Sequence, residues 1–519
     1  MRRLSSVLLI VPCLIGAAAA TTDDNNFVVI RAPRIALTHV KVIDGTGRAA
    51  VANRTIVIEA GRIVALGPTA STPVPPGAEA LDLPGHTVIP GLVGMHNHLF
   101  YAVPPGRPDE YVTSTRTFPR LYLAAGVTTL RTAGTFDLAA DADVKRRIDA
   151  GQEPGPELYL TSGYFHRAAG PPDAARIEKL IDEQQEAGAT SFKAYTSLRR
   201  DELAALIDGA HRRGLRVAGH LCAVSFREAA DLGIDSLEHG LFTDSGIFSA
   251  RTPDRCPDPS ALAQIMAGVD INGDTVRQII ADLVENRVAV VSTLALLESL
   301  AAGSGVVDVR MRTVLAPQIR DPWEQTSVGL ADRRAGLAVW ERVLTQEMAF
   351  ERAFVSAGGL LMAGADPTGW GCCVAGFMDQ RNIELLVEAG FTAEQAISIY
   401  SANGAAFLSV ADRIGTLAVG KQADLVVIRG DPAARVEDIR NVAIVFKNGV
   451  GYDSARLIDS VAGRVGIAEH TNPIMQLLAN TGLHPILVRM IFFGGTALVV
   501  VILLAAIQSR MARRRRRRT

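Results

Sequence analysis

The sequence predicts an α/β protein with three parts: a (β/α)8 TIM-type barrel, a small composite β domain from both flanks of the barrel, and one C-terminal transmembrane helix. Three observations support this fold class. Residues 91–408 alternate short apolar runs with longer amphipathic segments, which gives eight strand candidates that each leave room for a helix. Stretches rich in strand and turn signals lie on both sides of this region. Farther on, the chain has a long apolar run without charge, followed by arginines.

Both ends of the chain predict targeting elements. Residues 1–20 combine two arginines, an apolar stretch and small residues, which is the pattern of a secretory signal peptide. Residues 490–507 carry no charge, and a helix of that length rises roughly 27 Å, close to the hydrocarbon thickness of a bilayer. The basic tail, residues 508–519, favours the cytoplasmic side and contact with anionic lipid headgroups. We therefore expect an exported, membrane-anchored protein whose body lies on the periplasmic or extracellular side.

The body between these ends is acidic. Residues 21–488 contain 43 basic and 54 acidic side chains, a net charge of −11, which disfavours nucleic acid as a partner. A hydrophobic content of 48% over 519 residues is ample for a sizeable core. The cysteines of this body lack a CxxC metal pattern, and their spacing leaves any disulfide pairing open. They are Cys222, Cys256, Cys372 and Cys373.

Two flanking stretches predict a single small β domain. Residues 27–90 read as short strands separated by turn signals such as Asp44-Gly45, and residues 409–465 return to the same character. The two stretches can pair into one composite domain, with the barrel inserted between them. Residues 466–489 then form a linker to the membrane helix.

The predicted barrel, residues 91–408, is expected to carry its functional residues at the ends of its strands. A doubly wound open sheet is the alternative fold, but no GxGxxG follows the first strand. Functional residues of a TIM-type barrel lie at the C-terminal ends of the strands. The long segments after strands six and seven, residues 241–286 and 297–357, are therefore expected to act as lids and specificity elements.

Six polar side chains fall on five of these strand ends. His96 and His98 end strand one, and the alternation of a strand points both toward the barrel axis. Neutral imidazoles and a carboxylate are the usual ligands of a catalytic Zn²⁺. Lys193, on an apolar strand, would bury an ammonium at considerable cost unless it were paired or modified. The other three are His220, His239 and Asp366.

These motifs resemble the amidohydrolase superfamily of metal-dependent hydrolases, over roughly residues 35–455. Order and spacing both match in "PGLVGMHNHLF", "GVTTLRTAG", "SFKAY", "EHG" and "AGADPTG". The resemblance implies two divalent metal ions, with Zn²⁺ the first choice over manganese, cobalt and iron. It also implies a distribution of ligands: His96, His98 and Asp366 on one ion, His220 and His239 on the other, and carbamylated Lys193 as the bridge between them.

Two details of the motifs refine the resemblance. The lysine on strand four, with no glutamate in "HLCAVS" after His220, is similar to the binuclear branch that includes prolidase-like and imidazolonepropionase-like members, and it disfavours deamination. Many members carry Asp before the HxH pair, where this chain has Gly94. That aspartate supports the ligands from outside in those members, so we expect altered support and no loss of metal.

The expected activity is hydrolysis of a C–N bond, amide or peptide-like, in a small molecule by a metal-bridging hydroxide. Two divalent ions would lower the pKa of a shared water, and catalytic Asp366 would take its proton and deliver it to the leaving group. Near the mouth, His166, Tyr195 and Arg131 are candidates for holding a substrate carboxylate or the developing oxyanion. Hydrolysis of a lactone or another ester, and a non-catalytic descendant that only binds, are alternatives. The substrate and the oligomeric state stay open.

Overall fold

The computed structural model describes residues 26–102, 111–167, 173–301, 308–321, 334–368 and 373–469. The strands are β1 Val28–Ile30, β2 Arg34–Val42, β3 Val51–Glu59, β4 Arg62–Pro68, β5 Glu79–Asp82, β6 His86–Pro90, β7 Leu92–Asn97, β8 Phe100–Ala102, β9 Tyr111–Thr113, β10 Val127–Thr132, β11 Glu157–Tyr159, β12 Thr161–Phe165, β13 Ser191–Ala194, β14 Arg216–Gly219, β15 Ser236–Glu238, β16 Ala289–Ser292, β17 Leu361–Ala363, β18 Leu425–Arg429, β19 Val442–Lys447 and β20 Val450–Asp453. The α-helices are Thr117–Ala124, Leu138–Asp149, Ala174–Glu186, Arg200–Arg212, Phe226–Asp231, Pro259–Ala267, Asp274–Glu285, Leu294–Ala301, Met311–Val314, Arg334–Ser356, Phe377–Glu388, Ala393–Ser398, Gly404–Phe407 and Ser454–Asp459.

Strands from both flanking stretches form one mixed sheet. Its order is β1-β20-β19-β18-β6-β2-β3-β4, with β5 paired to β2. The two stretches join where β18 runs antiparallel to β6, with Val427 opposite Val88. Apolar side chains that include Ile35 and Ile56 are fully buried and pack as a cluster of their own. Since β6 ends at Pro90 and β7 begins two residues later, this sheet leads directly into the barrel.

Eight parallel strand positions in the described residues form the wall of the barrel. They are β7, β10, β11 continued by β12, and β13 to β17. Neighbouring strands pair in parallel register, for example Lys193 of β13 opposite Ala218 of β14. The amide of Asp366 donates to the carbonyl of His96 at 2.9 Å, so the last strand position closes on the first. This closure brings the C-terminal ends of the strands to one mouth.

Amphipathic helices cover the outside of the barrel. The helix Asp274–Glu285 buries one stripe of side chains spaced by three and four residues, as expected for a helix that packs on a core. The next strand, β16, is buried on both faces because the barrel interior lies on one side and helices lie on the other. The buried side chains of the helix are Val276, Ile279, Ile280 and Leu283.

The described residues do not support the predicted membrane anchor. No helix among them is long and apolar enough to cross a bilayer. The helix Arg334–Ser356 has 23 residues, but it carries acidic side chains such as Glu347 and Glu351, which exclude it as a span. The predicted span, residues 490–507, lies outside the described residues, as do the predicted signal peptide and basic tail. The predictions of a C-terminal transmembrane helix, of membrane contact and of a membrane-anchored location are therefore overturned, and the fold is a mixed α/β fold.

A disulfide fastens the long segment after strand six of the barrel. Residues 241–286 fold in part into two helices. Cys222, which follows β14, is bonded to Cys256 of this segment. Cys373 is a buried free thiol, and Cys372 lies outside the described residues. The pairing that the sequence left open therefore ties this segment to the mouth of the barrel.

Candidate metal centre

Three buried side chains converge at the mouth of the barrel. His96 and His98 come from the end of β7, and Asp366 follows β17. The Nε2 atom of His98 lies 3.1 Å from Asp366 Oδ1, and that of His96 lies 3.7 Å from the same oxygen. One ligand atom from each residue lies within 4.8 Å of the others, and each residue is at most 6% exposed. These side chains are close enough to share one metal ion.

The second ring nitrogen of each of these histidines is already engaged. His96 Nδ1 lies 2.5 Å from Glu238 Oε2, and His98 Nδ1 donates to the carbonyl of Gly134 at 3.0 Å. Such contacts fix the tautomer and leave Nε2 as the atom that faces a metal. Burial lowers the pKa of His96 well below its ordinary value, so this ring is neutral, as a metal ligand must be.

His220 and His239 form a second pair of nitrogen donors. His220 follows β14, His239 follows β15, and His220 Nδ1 lies 3.0 Å from His239 Nε2. The other ring nitrogen of His239 lies 3.0 Å from Thr293 Oγ1 and 3.8 Å from Asp366 Oδ2. Burial lowers the pKa of His220 to about 4 and that of His239 well below its ordinary value. Both rings are therefore neutral near pH 7 and available to a metal.

Lys193 brings an amine into the same buried region. It lies on β13, and 1% of the residue is exposed. Among the described residues its Nζ atom has no hydrogen-bond partner, and Glu238 Oε1 lies 4.0 Å away. Burial lowers the pKa of Lys193 from 10.5 to about 8. A buried amine without a hydrogen bond is costly, and its neutral form is a nucleophile.

Glu238 is a buried carboxylate that the sequence reasoning did not single out. Its Oε1 atom accepts a hydrogen bond from Arg131 Nη2 at 2.6 Å. Arg131 also donates from Nε and Nη2 to the carbonyl of Met95, at 3.0 and 2.6 Å. Glu238 is 0% exposed and Arg131 2%. The structure therefore places Arg131, a sequence candidate for substrate contact, behind the candidate ligands, where it holds Glu238.

Two candidate ligands have left-handed backbone. The φ angle is 70° at His239 and 47° at Asp366. In a regular strand Glu238 and His239 would face opposite sides, but the positive φ turns His239 back toward the interior that Glu238 already faces. Each left-handed residue costs about 1 kcal/mol. Hydrogen bonds from the amide of His239 to Val291 and from that of Asp366 to His96, at 3.0 and 2.9 Å, help to hold these conformations.

Gly94 lies against the side chain of Asn97 and leaves no room for a side chain of its own. A Cβ atom at Gly94 would collide with the side-chain amide of Asn97, which lies between the two histidines of the HxH pair. Asn97 Oδ1 accepts from the amide of Ala365, the residue before Asp366, at 3.1 Å. Asn97 Nδ2 donates to the buried Asp379 Oδ1 at 3.2 Å. Support for Asp366 thus comes from Asn97 and Asp379, which the sequence reasoning also did not single out.

Aromatic and imidazole rings line one side of the mouth. The ring centroid of Tyr195, just after β13, lies 5.1 Å from that of His220. His166 is exposed, and its ring lies 5.0 Å from that of Tyr195. Burial raises the pKa of Tyr195, so its hydroxyl stays protonated and can donate a hydrogen bond. Tyr195 therefore lies beside His220, and His166 lies next to Tyr195.

One protein family and several solved structures are similar to this chain. The model of the amidohydrolase family matches residues 87–451. The structure is similar to that of a putative prolidase from Bifidobacterium longum, with 23% identity, a TM-score of 0.58, and coverage of 82% of this chain and 98% of that chain. It is also similar to a Xaa-Pro dipeptidase with bound methionine, at 19% identity, 81% and 100% coverage and a TM-score of 0.59. Molinate hydrolase matches at 18% identity, 82% and 96% coverage and a TM-score of 0.59. None of the curated proteins compared with the chain matches it.

The likeness to solved structures, at identities below 25%, shows the fold. The family match extends from β6 to β20 and includes each strand end that carries a candidate ligand. It confirms the resemblance that the motifs indicated. The chain therefore belongs to the amidohydrolase family, a family of hydrolases.

Proposed function

We propose that this protein is a binuclear metal-dependent enzyme that cleaves a C–N bond in a small amide or dipeptide-like substrate. The observation that carries the proposal is the convergence of His96, His98 and Asp366 within 4.8 Å. The His220 and His239 pair adds two neutral nitrogen donors beside them. Several ligand atoms at one mouth of a barrel suit a reaction in which a carbonyl is polarised and water is activated.

The donor set suits two divalent ions, most simply Zn²⁺. The HxH pair with Asp366 would hold one ion, and His220 with His239 the other. The buried Nζ atom of Lys193, without a hydrogen-bond partner among the described residues, fits a bridging carbamate. Its neutral amine would add to the carbon of carbon dioxide and lose one proton, which leaves a carbamate with two oxygen donors. Bound at these sites, the ions supply Lewis acidity and lower the pKa of water.

Asp366 is the proposed catalytic acid and base. Its carboxylate oxygens lie 3.1 Å from His98 Nε2 and 3.8 Å from His239 Nδ1, so the side chain faces both groups of donors. Burial opposes the charge of Asp366, but His96 and His98 outweigh it and lower its pKa to about 2. The ionised carboxylate is able to accept a proton from water and pass it to the leaving nitrogen.

Residues at the mouth would orient the substrate. Tyr195 lies beside His220, His166 lies next to Tyr195, and both can donate hydrogen bonds to a carboxylate or carbonyl oxygen. Arg131 is buried against Glu238, whose other oxygen contacts His96. We therefore assign Arg131 a positioning role that acts through Glu238, in place of direct contact with the substrate.

Hydrolysis of a substrate panel by the full chain tests the proposal. Dipeptides, N-acyl amino acids and lactones are offered to protein loaded with Zn²⁺ and to the same protein after chelation. We expect turnover of amide substrates, its loss on chelation and its return when Zn²⁺ is added. Turnover of lactones alone would replace the amide assignment with an esterase. Activity that survives chelation, or a loaded protein that hydrolyses nothing, would contradict the proposal.

A further inference from the structure

An apolar cavity opens beside the candidate metal centre. Its volume is about 150 Å³. His220 lines it on one side, and Leu221, Phe242, Leu262 and Trp340 contribute to its walls. Because His220 is one of the proposed ligands, a group that fills this cavity lies next to the site of the reaction.

The walls of the cavity are held by contacts within the chain. The Cys222–Cys256 disulfide contributes both of its residues to the lining. The amide of Phe242 donates to Glu347 Oε2 at 3.0 Å. The rings of Phe242 and Trp340 meet edge to face, with centroids 6.2 Å apart. The cavity is therefore preformed, and a ligand that enters it loses little affinity to the ordering of loops.

The lining favours an uncharged group. Among the described residues of the lining, none carries a carboxylate, an ammonium or a guanidinium, and the polar side chains are those of His220, Thr196 and Thr243. A charged group would lose its hydration here without gaining an ion pair. An apolar group would instead move from water onto apolar walls, which is favourable. For comparison, an engineered protein cavity of about 150 Å³ that is lined by Leu, Ile and Phe is large enough to bind benzene.

We propose that this cavity binds an uncharged apolar group, of about the size of a phenyl ring, that is attached to the scissile amide. The inference rests on the proposed function, because it places one end of the substrate relative to the metal centre. It narrows the substrate class to amides or dipeptide-like molecules with a compact aromatic or aliphatic substituent. Leu262 and Trp340 then determine the preference for that substituent.

Three uncharged amides with one common core test the proposal. N-methylacetamide lacks a phenyl ring, N-benzylacetamide carries one on the amine side, and N-methyl-2-phenylacetamide carries one on the acyl side. With the full chain loaded with Zn²⁺, we expect kcat/KM for one phenyl-bearing amide to exceed that of N-methylacetamide by about 10- to 100-fold, the range for burial of an aromatic side chain. The ratio of the two values is the readout.

Variants of the cavity locate the preference. Trp340→Ala and Leu262→Ala should each lower the ratio at least about threefold, because each removes apolar wall. Ile265→Ala is the matched control: it lies on the same helix, Pro259–Ala267, but outside the lining, and should keep the wild-type ratio. Circular dichroism checks that each variant is folded, and the amount of bound Zn²⁺ checks that it carries as much metal as the wild-type chain.

Two results would overturn the inference. They are an unchanged ratio in both cavity variants, or an equal loss in Ile265→Ala. The proposed function fails only if loaded protein hydrolyses neither these amides nor the dipeptides and N-acyl amino acids of the panel above. Where none of the three amides is hydrolysed, calorimetric binding of the same three amides tests the cavity. Tighter binding of a phenyl-bearing amide that is lost in Trp340→Ala supports the inference, and equal affinities for all three contradict it.

Discussion

The buried ion pair behind the candidate ligands makes Glu238→Gln a sharp perturbation. Glu238 Oε1 lies 2.6 Å from Arg131 Nη2, and Glu238 Oε2 lies 2.5 Å from His96 Nδ1. Burial opposes the charge of Glu238, yet Lys193 and Arg131 hold its pKa below its ordinary value. The carboxylate is therefore ionised near pH 7. Glutamine has nearly the same volume, so the substitution chiefly removes the charge.

Loss of this charge leaves the guanidinium of Arg131 buried without its ionic partner. Removal of one member of a buried pair costs about 3 to 5 kcal/mol. Both Glu238 and Arg131 are at most 2% exposed, so solvent does not screen the pair. Arg131 keeps its hydrogen bonds to the carbonyl of Met95, which places the expected loss near the lower value, about 3 kcal/mol. Loss of the charged partner of His96 should also weaken metal binding by about 10- to 100-fold.

Urea unfolding of the metal-free full chain, followed by circular dichroism, measures the loss of stability, and competition with a chelator measures the affinity for Zn²⁺. Glu59→Gln is the matched control, because its pair with Arg34 is exposed, with side chains 41% and 46% accessible. We expect that control to cost less than about 1 kcal/mol. A loss for Glu238→Gln that is no larger than that of Glu59→Gln, with unchanged affinity for Zn²⁺, would refute the reasoning.

Three further predictions concern single side chains. Asp366→Asn should keep much of the bound metal but lower kcat by about 10²- to 10⁴-fold, the usual contribution of an acid–base group. The control Asp412→Asn, at an exposed position, should leave kcat unchanged. Similar rates for the two variants would contradict the role of Asp366 as acid and base. Gly94→Ala should lower the free energy of unfolding in urea by about 1 to 3 kcal/mol, because the new methyl group would collide with the buried side-chain amide of Asn97. The control Gly163→Ala should lower it less, because the new methyl group meets only an ordinary contact at 3.4 Å. Burial raises the pKa of Asp141 to about 7 from 3.8, so its contribution to stability is fully present below pH 3.8 and is lost as the pH rises through 7. Asp141→Asn should therefore stabilise the protein at pH 8, by on the order of 4 kcal/mol, and give no such gain below pH 3.8; equal effects at both pH values would contradict the assignment.

The sequence carried enough information to find the residues that converge at the mouth. His96 and His98 lie on one strand with a spacing of two, so period-two alternation already directs both to the same side. The described strands β13, β14 and β15 end at or beside Lys193, His220 and His239, where the apolar runs of the sequence stop. Short runs bounded by glycine and polar residues are a strong local signal, which explains why strand ends could be located without coordinates.

The supporting residues were harder to predict, because their roles depend on exceptions to regular geometry. Glu238 and His239 are adjacent, and only the left-handed backbone at His239 lets both face the barrel interior. The contact of Asn97 with Asp379 joins residues 282 positions apart, and nothing local in the sequence pairs them. The same reason hides the Cys222 disulfide, which closes over a separation of 34 residues.

The membrane prediction failed for a different reason. It rested on the uncharged segment 490–507 and on the basic tail 508–519, both of which lie outside the described residues. Within the described part of the chain, no helix is long and apolar enough to cross a bilayer. Hydropathy shows whether a segment is long and apolar enough to span a bilayer. It does not show where that segment lies in the folded protein.

The proposal that six side chains at one mouth hold two metal ions is tested most directly by the amount of metal bound. Zn²⁺ in the full chain, after extensive dialysis, is quantified by plasma mass spectrometry and divided by the protein concentration. We predict two ions per wild-type chain, and one ion in the double variant His220→Asn with His239→Asn, which keeps the HxH pair and Asp366. Less than one ion in the wild-type chain, or two ions retained in the double variant, would contradict the proposal.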